Sequence, residues 1–403
     1  MPNMKARRKP AGGPKGRDAD VWASAEFKRL SVGLEKILTV PKKAVEKRAT
    51  SLRLTKGNKG LETSIETLPR PVLKGDRPGG KMAALAEPAT RQQAAVRQDF
   101  SVVSLFSGCG GLDLGFRGGF KVFGQEYEAL PFDVVWANDI NAAACRTYRK
   151  NLSDHIHCGD IWKEMESMPE SADVVIGGFP CQDISLNGKR KGIAGDRSGL
   201  YRAMVAAVKK LKPKVFVAEN VKGLLLDYNK ESLKQIIADF EALGYKVTYQ
   251  LYMAADYGIP QVRERVFIVG TAEGVKPFAP PLPVRVKGNW MTCSEAIGDL
   301  MAAKEDESVN HIWSRAAKSQ DQGNRSIKAN KPADTIRAEC HGNIQFHYEL
   351  PRRISMREAA RFQSFPDEFI FDSKLRETER QVGNAVPPVL AWHIAKAVMD
   401  CLA

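Results

Sequence analysis

Length and composition place this chain among the globular proteins. It has 403 residues, of which 43% are hydrophobic and 27% are charged, enough apolar sequence for one large or two ordinary domains. No apolar run reaches the roughly eighteen residues that suggest a transmembrane helix, and the N-terminus, MPNMKARRKPAGGPKGRD, lacks the apolar segment of a secretory signal. We therefore expect a soluble, cytoplasmic protein.

The cysteines argue against disulfides and metals. There are seven, an odd number, and no CxxC spacing is repeated. A disulfide framework needs pairs, and a structural zinc site needs clustered ligands. We expect free thiols and no bound metal.

Positive charge is concentrated in the first quarter of the chain. The net charge is +14, and residues 1–98 hold 22 Lys and Arg against 9 Asp and Glu. Residues 1–20 and 67–98 are rich in Gly, Pro, Ala and charge without an apolar period, which is typical of flexible chain. A basic arm binds nucleic acid by releasing condensed counterions, whereas a solvated tail needs no partner. We predict a flexible basic extension over residues 1–98, with both roles open.

Beyond residue 98, short apolar runs alternate with glycine-containing breaks and stretches of helical spacing. Runs that are apolar at consecutive positions suit strands buried on both faces of a parallel sheet. The pattern predicts an α/β fold with a doubly wound, mainly parallel sheet. The predicted strands are SVVSLF (101–106), DVVWAND (133–139), ADVVIGG (172–178), KVFVAEN (214–220) and RVFIVG (265–270).

The pattern changes again near residue 271. Prolines and polar stretches dominate as far as Arg352, and helical spacing then resumes in SMREAARFQSF and PPVLAWHIAKAVMDCLA. We predict a main domain over 99–270, a smaller irregular domain over 271–352, and a return of the chain to the main domain over 353–403.

Ligands of open α/β sheets bind beyond the carboxyl ends of the strands. FSGCGG (106–111) is a glycine-rich turn at such an end, and it departs from GxGxxG because Asp113 takes the place of the third glycine. This disfavours a dinucleotide pyrophosphate and suits an adenosyl ligand, whose ribose and adenine Asp139 and Asp160 would bind. A tight turn and two helix caps would give the same pattern.

Two other strand ends carry reactive groups. Cys181 follows Pro180 in GGFPCQDIS (177–185), where a thiol would face the cleft. A nucleophilic thiolate needs a helix N-terminus or a cation nearby, and a buried core cysteine is the alternative. Glu219 ends the fourth predicted strand, and a carboxylate there is costly to bury without partners, so it is a candidate acid or base.

Alternation in QVRERVF (261–267) directs Arg263 and Arg265 to the same face of a strand. Two guanidinium groups in register can bind a phosphate or a carbonyl. A half-exposed edge strand shows the same alternation, so both interpretations stay open.

Five motifs follow one another along the chain. They are FSGCGG (106–111), Pro-Cys-Gln (180–182), Glu-Asn-Val (219–221), QVRER (261–265) and RQVGNAVPP (380–388). In this order they resemble the DNA cytosine-5 methyltransferases of bacterial restriction-modification type. The resemblance spans residues 101–395 and implies the S-adenosylmethionine-dependent methyltransferase fold, with a catalytic domain, a target-recognition domain and a C-terminal helix that completes the cofactor pocket.

The resemblance implies S-adenosyl-L-methionine as the cofactor. Asp139 would bind the ribose, where the family more often has Glu, and Asp160 and Ile161 would meet the adenine. The other residues expected to line the pocket are Phe106, Gly108, Cys109, Gly110, Gly111, Ile140, Pro180, Asn384 and Val386.

The resemblance also implies a mechanism on a cytosine flipped out of the duplex. Because C5 of cytosine is a poor nucleophile, Cys181 would first attack C6. Glu219 would share a hydrogen bond with N3, and Arg265 would hold O2 with Arg263 assisting nearby. The sequence does not identify the base that removes the C5 proton.

Duplex DNA is the implied partner, and we expect a monomer that shares its recognition site with a cognate restriction endonuclease. The segment 182–199 resembles the family's mobile catalytic loop, and Thr335-Ile336 resembles its Thr-Leu recognition element. The predicted DNA contacts are Gln182, Ser185, Lys189, Arg190, Arg197, Thr335 and Arg337.

Two other functions stay open. The first is an RNA or tRNA cytosine-5 methyltransferase of the same fold, whose Cys-Phe-Thr in the recognition region is absent here. The second is a sequence-specific DNA-binding protein without turnover, against which the intact Cys181, Glu219 and Arg265 argue.

Overall fold

Strands and helices alternate along most of the chain. The computed structural model describes residues 99–180, 200–315, 325–338 and 345–403. The strands in these ranges are β1 (Phe100–Leu105), β2 (Phe120–Val122), β3 (Gln125–Tyr127), β4 (Phe132–Asp139), β5 (Ile156–Cys158), β6 (Val174–Gly178), β7 (Val215–Val221), β8 (Lys246–Met253), β9 (Gln261–Val262), β10 (Glu264–Thr271) and β11 (Ala333–Asp334). The helices are α1 (Gly111–Arg117), α2 (Ala142–Asn151), α3 (Ile161–Glu164), α4 (Leu200–Leu211), α5 (Lys230–Glu241), α6 (Cys293–Ile297), α7 (Met356–Phe362), α8 (Leu375–Asn384) and α9 (Pro388–Leu402).

In the described part of the chain, seven strands form one sheet in the order β5, β4, β1, β6, β7, β10, β8. The five strands from β5 to β7 run parallel to one another. Strand β10 is antiparallel to both β7 and β8. The predicted doubly wound, mainly parallel sheet is confirmed, and its antiparallel end is an addition to that prediction.

The five predicted strands are β1, β4, β6, β7 and β10, with ends within two residues of the predicted ones. Strand β8 was not predicted. It lies at the edge of the sheet, and most of its residues are exposed or only half-buried. An edge strand needs no continuous apolar run, so the pattern that identified the buried strands is missing there.

Two apolar cores cover the two faces of the sheet. Alternate side chains of β1 point to opposite faces, so Val102 packs in one core and Val103 in the other. The first core contains α1 and α9, and the second contains α4 and α5. This arrangement explains why the central strands are apolar at consecutive positions.

The last helix packs directly on the first. Gly115 of α1 approaches α9 so closely that an added Cβ would lie 2.3 Å from Ala391 Cβ and 2.6 Å from the Pro388 carbonyl oxygen. The C-terminal residues therefore lie against the helix that follows the glycine-rich turn.

The described residues between 272 and 352 contain little regular structure. Helix α6 begins at a capping box, in which Thr292 accepts from the Glu295 amide and the Glu295 carboxylate accepts from the Thr292 amide at 2.7 Å. Strand β11 pairs in parallel with β9. The division at residues 271 and 353 stays a prediction, and residues 1–98 lie outside the described ranges.

Among the described residues, Leu375–Leu402 is the one stretch long and apolar enough to cross a membrane, with a mean hydropathy of 1.2 in its most apolar part. It consists of α8 and α9, and 61% of that part is buried inside the protein. The core helices of a globular protein pass the same test.

Replacement of Gly115 by Ala should destabilise the protein, because the new Cβ meets backbone atoms of α9 that cannot move independently. We expect a loss of roughly 1–3 kcal/mol in the free energy of unfolding, measured by urea titration. The matched control is Gly223→Ala, where the nearest neighbour would be Val221 Cγ2 at 3.5 Å, an ordinary contact. Equal stability of the two variants would contradict the close packing of α1 on α9.

Candidate active site

A cavity opens where the strand order reverses. The chain runs outward from β1 to β4 and β5 and then returns to β6 on the other side of β1. Such a switch point leaves a crevice at the carboxyl ends of the strands. The cavity there has a volume of about 870 Å³, within the usual range of small-molecule sites.

Most of the predicted cofactor residues line this cavity. They come from the ends of β1, β4 and β6, from the start of α3 and from the corner between α8 and α9. The lining includes Phe106, Gly108, Cys109, Gly111, Asp139, Ile140, Asp160, Ile161, Pro180, Asn384 and Val386.

Gly110 is placed differently from its prediction. It does not line the cavity, and its φ of 92° is in the left-handed region. An added Cβ would lie 2.3 Å from Leu152 Cδ1. The conformation of the turn and the packing of α2 both require glycine at this position.

The glycine-rich turn is held tightly on both sides. Phe106 and Gly108 both have positive φ, 55° and 57°. The Gly108 amide donates to Asp139 Oδ2 at 2.8 Å, which fixes the turn to the end of β4. On the other side, a Cβ on Gly111 would lie 2.4 Å from the Val386 carbonyl oxygen. The turn therefore needs glycine for close approach as well as for conformation.

The two predicted acids already hold backbone amides. Asp139 accepts from Gly108 through Oδ2 and from the Asn141 amide through Oδ1 at 2.8 Å. Burial raises the pKa of Asp139, and these two hydrogen bonds oppose the rise. Asp160 caps α3 by accepting from the Trp162 amide at 2.9 Å. Each carboxylate oxygen keeps a further lone pair for a ligand hydroxyl or amine.

Glu219 and Arg265 form an ion pair at the cavity wall. Arg265 Nε lies 2.8 Å from Glu219 Oε1, and the two side chains are only 12% and 11% exposed. Arg265 pairs with Val221 in the antiparallel ladder, so it and Glu219 are diagonal neighbours on one face. Burial raises the pKa of the Glu219 carboxyl, and the Arg265 guanidinium opposes this rise.

The backbone that leads to Cys181 is fixed by the same strand. Asn220 Nδ2 donates to the Phe179 carbonyl oxygen at 3.0 Å. A Cβ on Gly178 would lie 3.0 Å from Glu219 Oε2. Cys181 and residues 182–199 lie outside the described ranges, and this segment includes the predicted DNA contacts Gln182, Ser185, Lys189, Arg190 and Arg197.

Arg263 does not lie where a direct contact with substrate would need it. Its guanidinium is fully buried behind the cavity wall, it is absent from the cavity lining, and backbone carbonyls accept from its two Nη atoms. Arg265 does line the cavity, as do the predicted DNA contacts Thr335 and Arg337. The alternation rule holds only within a strand, and Arg263 lies between β9 and β10, in neither of them. The sequence pattern therefore wrongly placed the two arginines on one face.

Several residues of the site were not predicted from the sequence. Asn141 Nδ2 donates to Glu377 Oε1 at 2.7 Å and joins the end of β4 to α8 at the cavity. Gln261 and Gln363 are both fully buried and hydrogen-bonded to each other at 2.7 Å. Gln261 opens the QVRER motif, which was the available signal, whereas Gln363 lies in the stretch SMREAARFQSF, which indicated helical spacing and no site.

A family model decides the identity of this site. The model of the C-5 cytosine-specific DNA methylase family matches residues 100–331 and 291–400. The chain belongs to this family. The resemblance deduced from the five motifs is thereby confirmed, and the protein is a DNA cytosine-5 methyltransferase.

Individual relatives agree with the family. The chain is 37% identical over 335 residues to the type II methyltransferase M.NgoFVII of Neisseria gonorrhoeae, covering 74% of this chain and 86% of that protein. It is 35% identical over 352 residues to M.BspRI of Lysinibacillus sphaericus, covering 74% and 81%. The solved structure of the methyltransferase EhMeth of Entamoeba histolytica superposes with a TM-score of 0.57 at 18% identity, covering 76% of this chain and 100% of that one. At that identity the likeness shows the fold alone.

Beneath the glycine-rich turn of this methyltransferase lies a buried carboxyl group. Asp113, in the first turn of α1, is 1% exposed and accepts from Tyr148 Oη at 2.9 Å. Tyr148 Oη also lies 2.8 Å from His155 Nε2. Burial raises the pKa of Asp113 to about 6, against the lowering effect of the tyrosine.

This pKa gives Asp113 a defined effect on stability. Its folded-state value of about 6 lies above the ordinary value of 3.8, so the stability that it contributes is full below pH 4 and is lost as the pH rises through 6. Asp113→Asn removes the titration and keeps an acceptor for Tyr148. The variant's stability relative to the wild type should thus rise by roughly 2–3 kcal/mol between pH 4 and pH 7. Thermal unfolding of both proteins across this pH range tests the prediction. If the stabilities of the variant and the wild type changed equally with pH, the prediction would be wrong.

Proposed function

We propose that the cavity binds S-adenosyl-L-methionine and that Cys181 initiates methylation of a cytosine flipped out of a specific duplex sequence. The observation that carries this proposal is the placement of the Glu219–Arg265 pair. It lies on the wall of the cavity that also contains the glycine-rich turn and Pro180, the residue before Cys181. Cofactor, nucleophile and base-binding groups would then share one cleft.

The residues around the cavity fit an adenosyl ligand. Asp139 at the end of β4 suits ribose hydroxyls, and Ile140, which is 75% exposed, offers an apolar surface to an adenine ring. The cations in the described lining are Arg265, Arg337 and Arg380, and none belongs to the turn over 106–111. This favours a ligand without phosphates. When bound, S-adenosylmethionine supplies an electrophilic methyl group.

In this mechanism Cys181 makes C5 of cytosine, a poor nucleophile, able to accept the methyl group. Its thiolate adds to C6 of cytosine, which breaks the C5–C6 double bond and moves electron density to C5 and N3. After C5 has gained the methyl group, loss of the C5 proton and departure of Cys181 restore the double bond. The Asn220–Phe179 hydrogen bond would hold the strand end from which Cys181 is presented.

Glu219 and Arg265 would bind the polar edge of the same cytosine. A carboxyl group whose pKa is raised by burial can share a proton with N3, where negative charge develops as the thiolate adds. Arg265, already oriented by Glu219, would donate to O2. Such groups are prearranged, so they require little reorganisation when the adduct forms.

DNA would lie across the mouth of the cavity. Thr335 and Arg337 line it and belong to the predicted target-recognition domain over 271–352. We further propose a cytoplasmic, DNA-associated monomer, with a cognate restriction endonuclease that recognises the same sequence. The names of the curated relatives, which are type II methyltransferases, support this last point.

Labelled S-adenosylmethionine with unmethylated genomic DNA, and RNA in parallel, tests the function. We expect label in DNA at one short motif, mapped by bisulfite sequencing. Cys181→Ser should reduce incorporation to background, while its affinities for S-adenosylhomocysteine and DNA stay unchanged, because the thiol acts in the chemistry and not in docking. Retained turnover in this variant, or label in RNA alone, would overturn the proposal.

The basic extension provides a second prediction. Because residues 1–98 carry most of the net charge, their deletion should weaken DNA binding. The slope of log K against log salt concentration should become shallower by about 0.9 for each phosphate that the extension neutralises in the full-length protein. The methylated sequence should not change. The test is to measure DNA binding at several salt concentrations for both proteins. An unchanged slope after the deletion would refute a DNA-binding role for the extension.

A further inference from the structure

Arg263 joins two separate walls of the cavity. Its Nη1 donates to the Ile336 carbonyl oxygen at 2.9 Å, and its Nη2 donates to the carbonyl oxygens of Gly383 at 2.9 Å and Ala385 at 3.0 Å. Ile336 belongs to the segment that follows β11, whereas Gly383 belongs to the last turn of α8 and Ala385 to the corner between α8 and α9. One side chain therefore fixes the backbone of both.

Two glutamines reinforce the same connection. The amide oxygen of Gln261 accepts from the Ile336 amide at 2.9 Å, so both backbone polar groups of Ile336 are held by side chains of the QVRER motif. Gln261 donates to Gln363 Oε1 at 2.7 Å, and Gln363 in turn donates to the Val382 carbonyl oxygen at 2.6 Å and to that of Ala385 at 3.1 Å. The network runs from the segment after β11 to the end of α8 without an exposed member.

Direct packing joins the two walls a second time. A Cβ on Gly383 would lie 2.3 Å from the Ala338 nitrogen and 2.3 Å from the Arg337 carbonyl carbon. Both neighbours are backbone atoms, so they cannot rotate away as a flexible side chain would. The end of α8 and residues 337–338 are thus in backbone contact, independently of Arg263.

The cation at this junction is expensive to bury. Arg263 is 0% exposed, and the pKa of its guanidinium lies well below its usual value because of burial and of the neighbouring Arg265. Glu219 is the acid that opposes this effect. A planar guanidinium can meet three carbonyl oxygens in fixed directions, which a lysine ammonium on a flexible stem does not reproduce. A buried charge is tolerated where several hydrogen bonds satisfy it.

Both walls belong to the site described above. Thr335, Ile336, Arg337 and Ala338 line the cavity on the side proposed for DNA. Gly383, Asn384, Ala385 and Val386 line it on the side of the glycine-rich turn, against which Val386 packs. Backbone that Arg263 holds is therefore within reach of a ligand on either side of the cavity.

We propose that Arg263 is a positioning residue that couples occupancy of the cofactor pocket to DNA recognition by the segment 335–338. This inference rests on the proposed function and adds to it a route of communication. A ligand that orders the α8–α9 corner fixes the carbonyl oxygens of Gly383 and Ala385, and through Arg263 it orders the backbone of Ile336. DNA bound to the segment acts on the cofactor side in the same way, because such coupling is reciprocal.

A thermodynamic cycle measures this coupling in the full-length protein. The affinity for a duplex with the bisulfite-mapped motif is measured by fluorescence anisotropy, with and without saturating S-adenosylhomocysteine. The reciprocal effect of the duplex on S-adenosylhomocysteine affinity is measured by calorimetry. We expect the wild type to bind the duplex roughly 5–150-fold more tightly when the cofactor product is present, the usual range of coupling between sites.

Arg263→Lys should reduce this ratio to less than about twofold while S-adenosylhomocysteine still binds, because the charge is kept but an ammonium cannot hold all three carbonyl oxygens. Gly383→Ala, which separates the two walls sterically, should reduce the ratio as well, and it replaces Arg263→Lys as the test if that variant does not fold.

The matched control is Arg357→Lys. Arg357 is also buried and donates to three carbonyl oxygens, those of Val309, Pro366 and Phe369, but it does not line or bridge the cavity. It should lower stability and keep the ratio.

Three results would overturn the proposal. They are a wild-type ratio near one, an unchanged ratio in a folded Arg263→Lys variant (or in Gly383→Ala if Arg263→Lys does not fold), and an equal reduction of coupling in Arg357→Lys, which would show a general effect of destabilisation. Failure of the wild type to bind S-adenosylhomocysteine at all would instead overturn the proposed function, and this inference with it.

Discussion

A charged guanidinium without access to water needs hydrogen-bond acceptors around it, and this constraint determines how the site is assembled. The two Nη atoms of Arg263 meet it with backbone carbonyl oxygens from two distant parts of the chain, one 73 and the others 120 and 122 residues away in sequence. Its Nε is buried without a hydrogen-bond partner among the described residues. If any of these segments moves, a buried donor or acceptor is left unpaired, at a cost of about 1–3 kcal/mol or more for a charged group. The geometry of the cavity walls thus follows from a hydrogen-bonding requirement and not from apolar packing alone.

The neighbouring arginine has a different task because its surroundings differ. Arg265 is paired with Glu219 and reaches the cavity, whereas Arg263, two residues earlier, faces away into the protein. Glu219 experiences both charges, which limit how far burial raises its pKa. Burial raises the pKa of a carboxyl group and nearby cations lower it. A carboxyl group under both influences can exchange a proton with a bound base more readily than one that is always protonated or always ionised. The buried arginine therefore contributes to the electrostatics of the site as well as to its shape.

The sequence predicted the parts of this structure that depend on local pattern. The five buried strands were evident because each is apolar at consecutive positions, and the glycine-rich turn was evident from its composition. The edge strand β8 was missed because exposure removes that pattern. Gly110 was assigned to the cofactor pocket and Arg263 to a role beside Arg265, yet their neighbours are Leu152 for one and the Ile336 carbonyl oxygen for the other. Such contacts join residues far apart in sequence, so no local pattern encodes them. The family resemblance supplied the function. It could not distinguish residues placed to contact a substrate from residues that position other residues.

The route of the chain has a consequence for how the cavity forms. The glycine-rich turn near the start of the described chain is completed only when Val386 packs on Gly111 and Ala391 on Gly115. These contacts join residues about 275 positions apart. Closing so long a loop is slow, because the chain loses conformational entropy before the contacts form and stabilise it. Strands β1, β4 and β6 can pair earlier, since they are close in sequence. We therefore expect the α8–α9 corner to dock after these strands have paired. Because Arg263 donates both to this corner and to the Ile336 carbonyl oxygen, that docking would fix both walls of the cavity in one step.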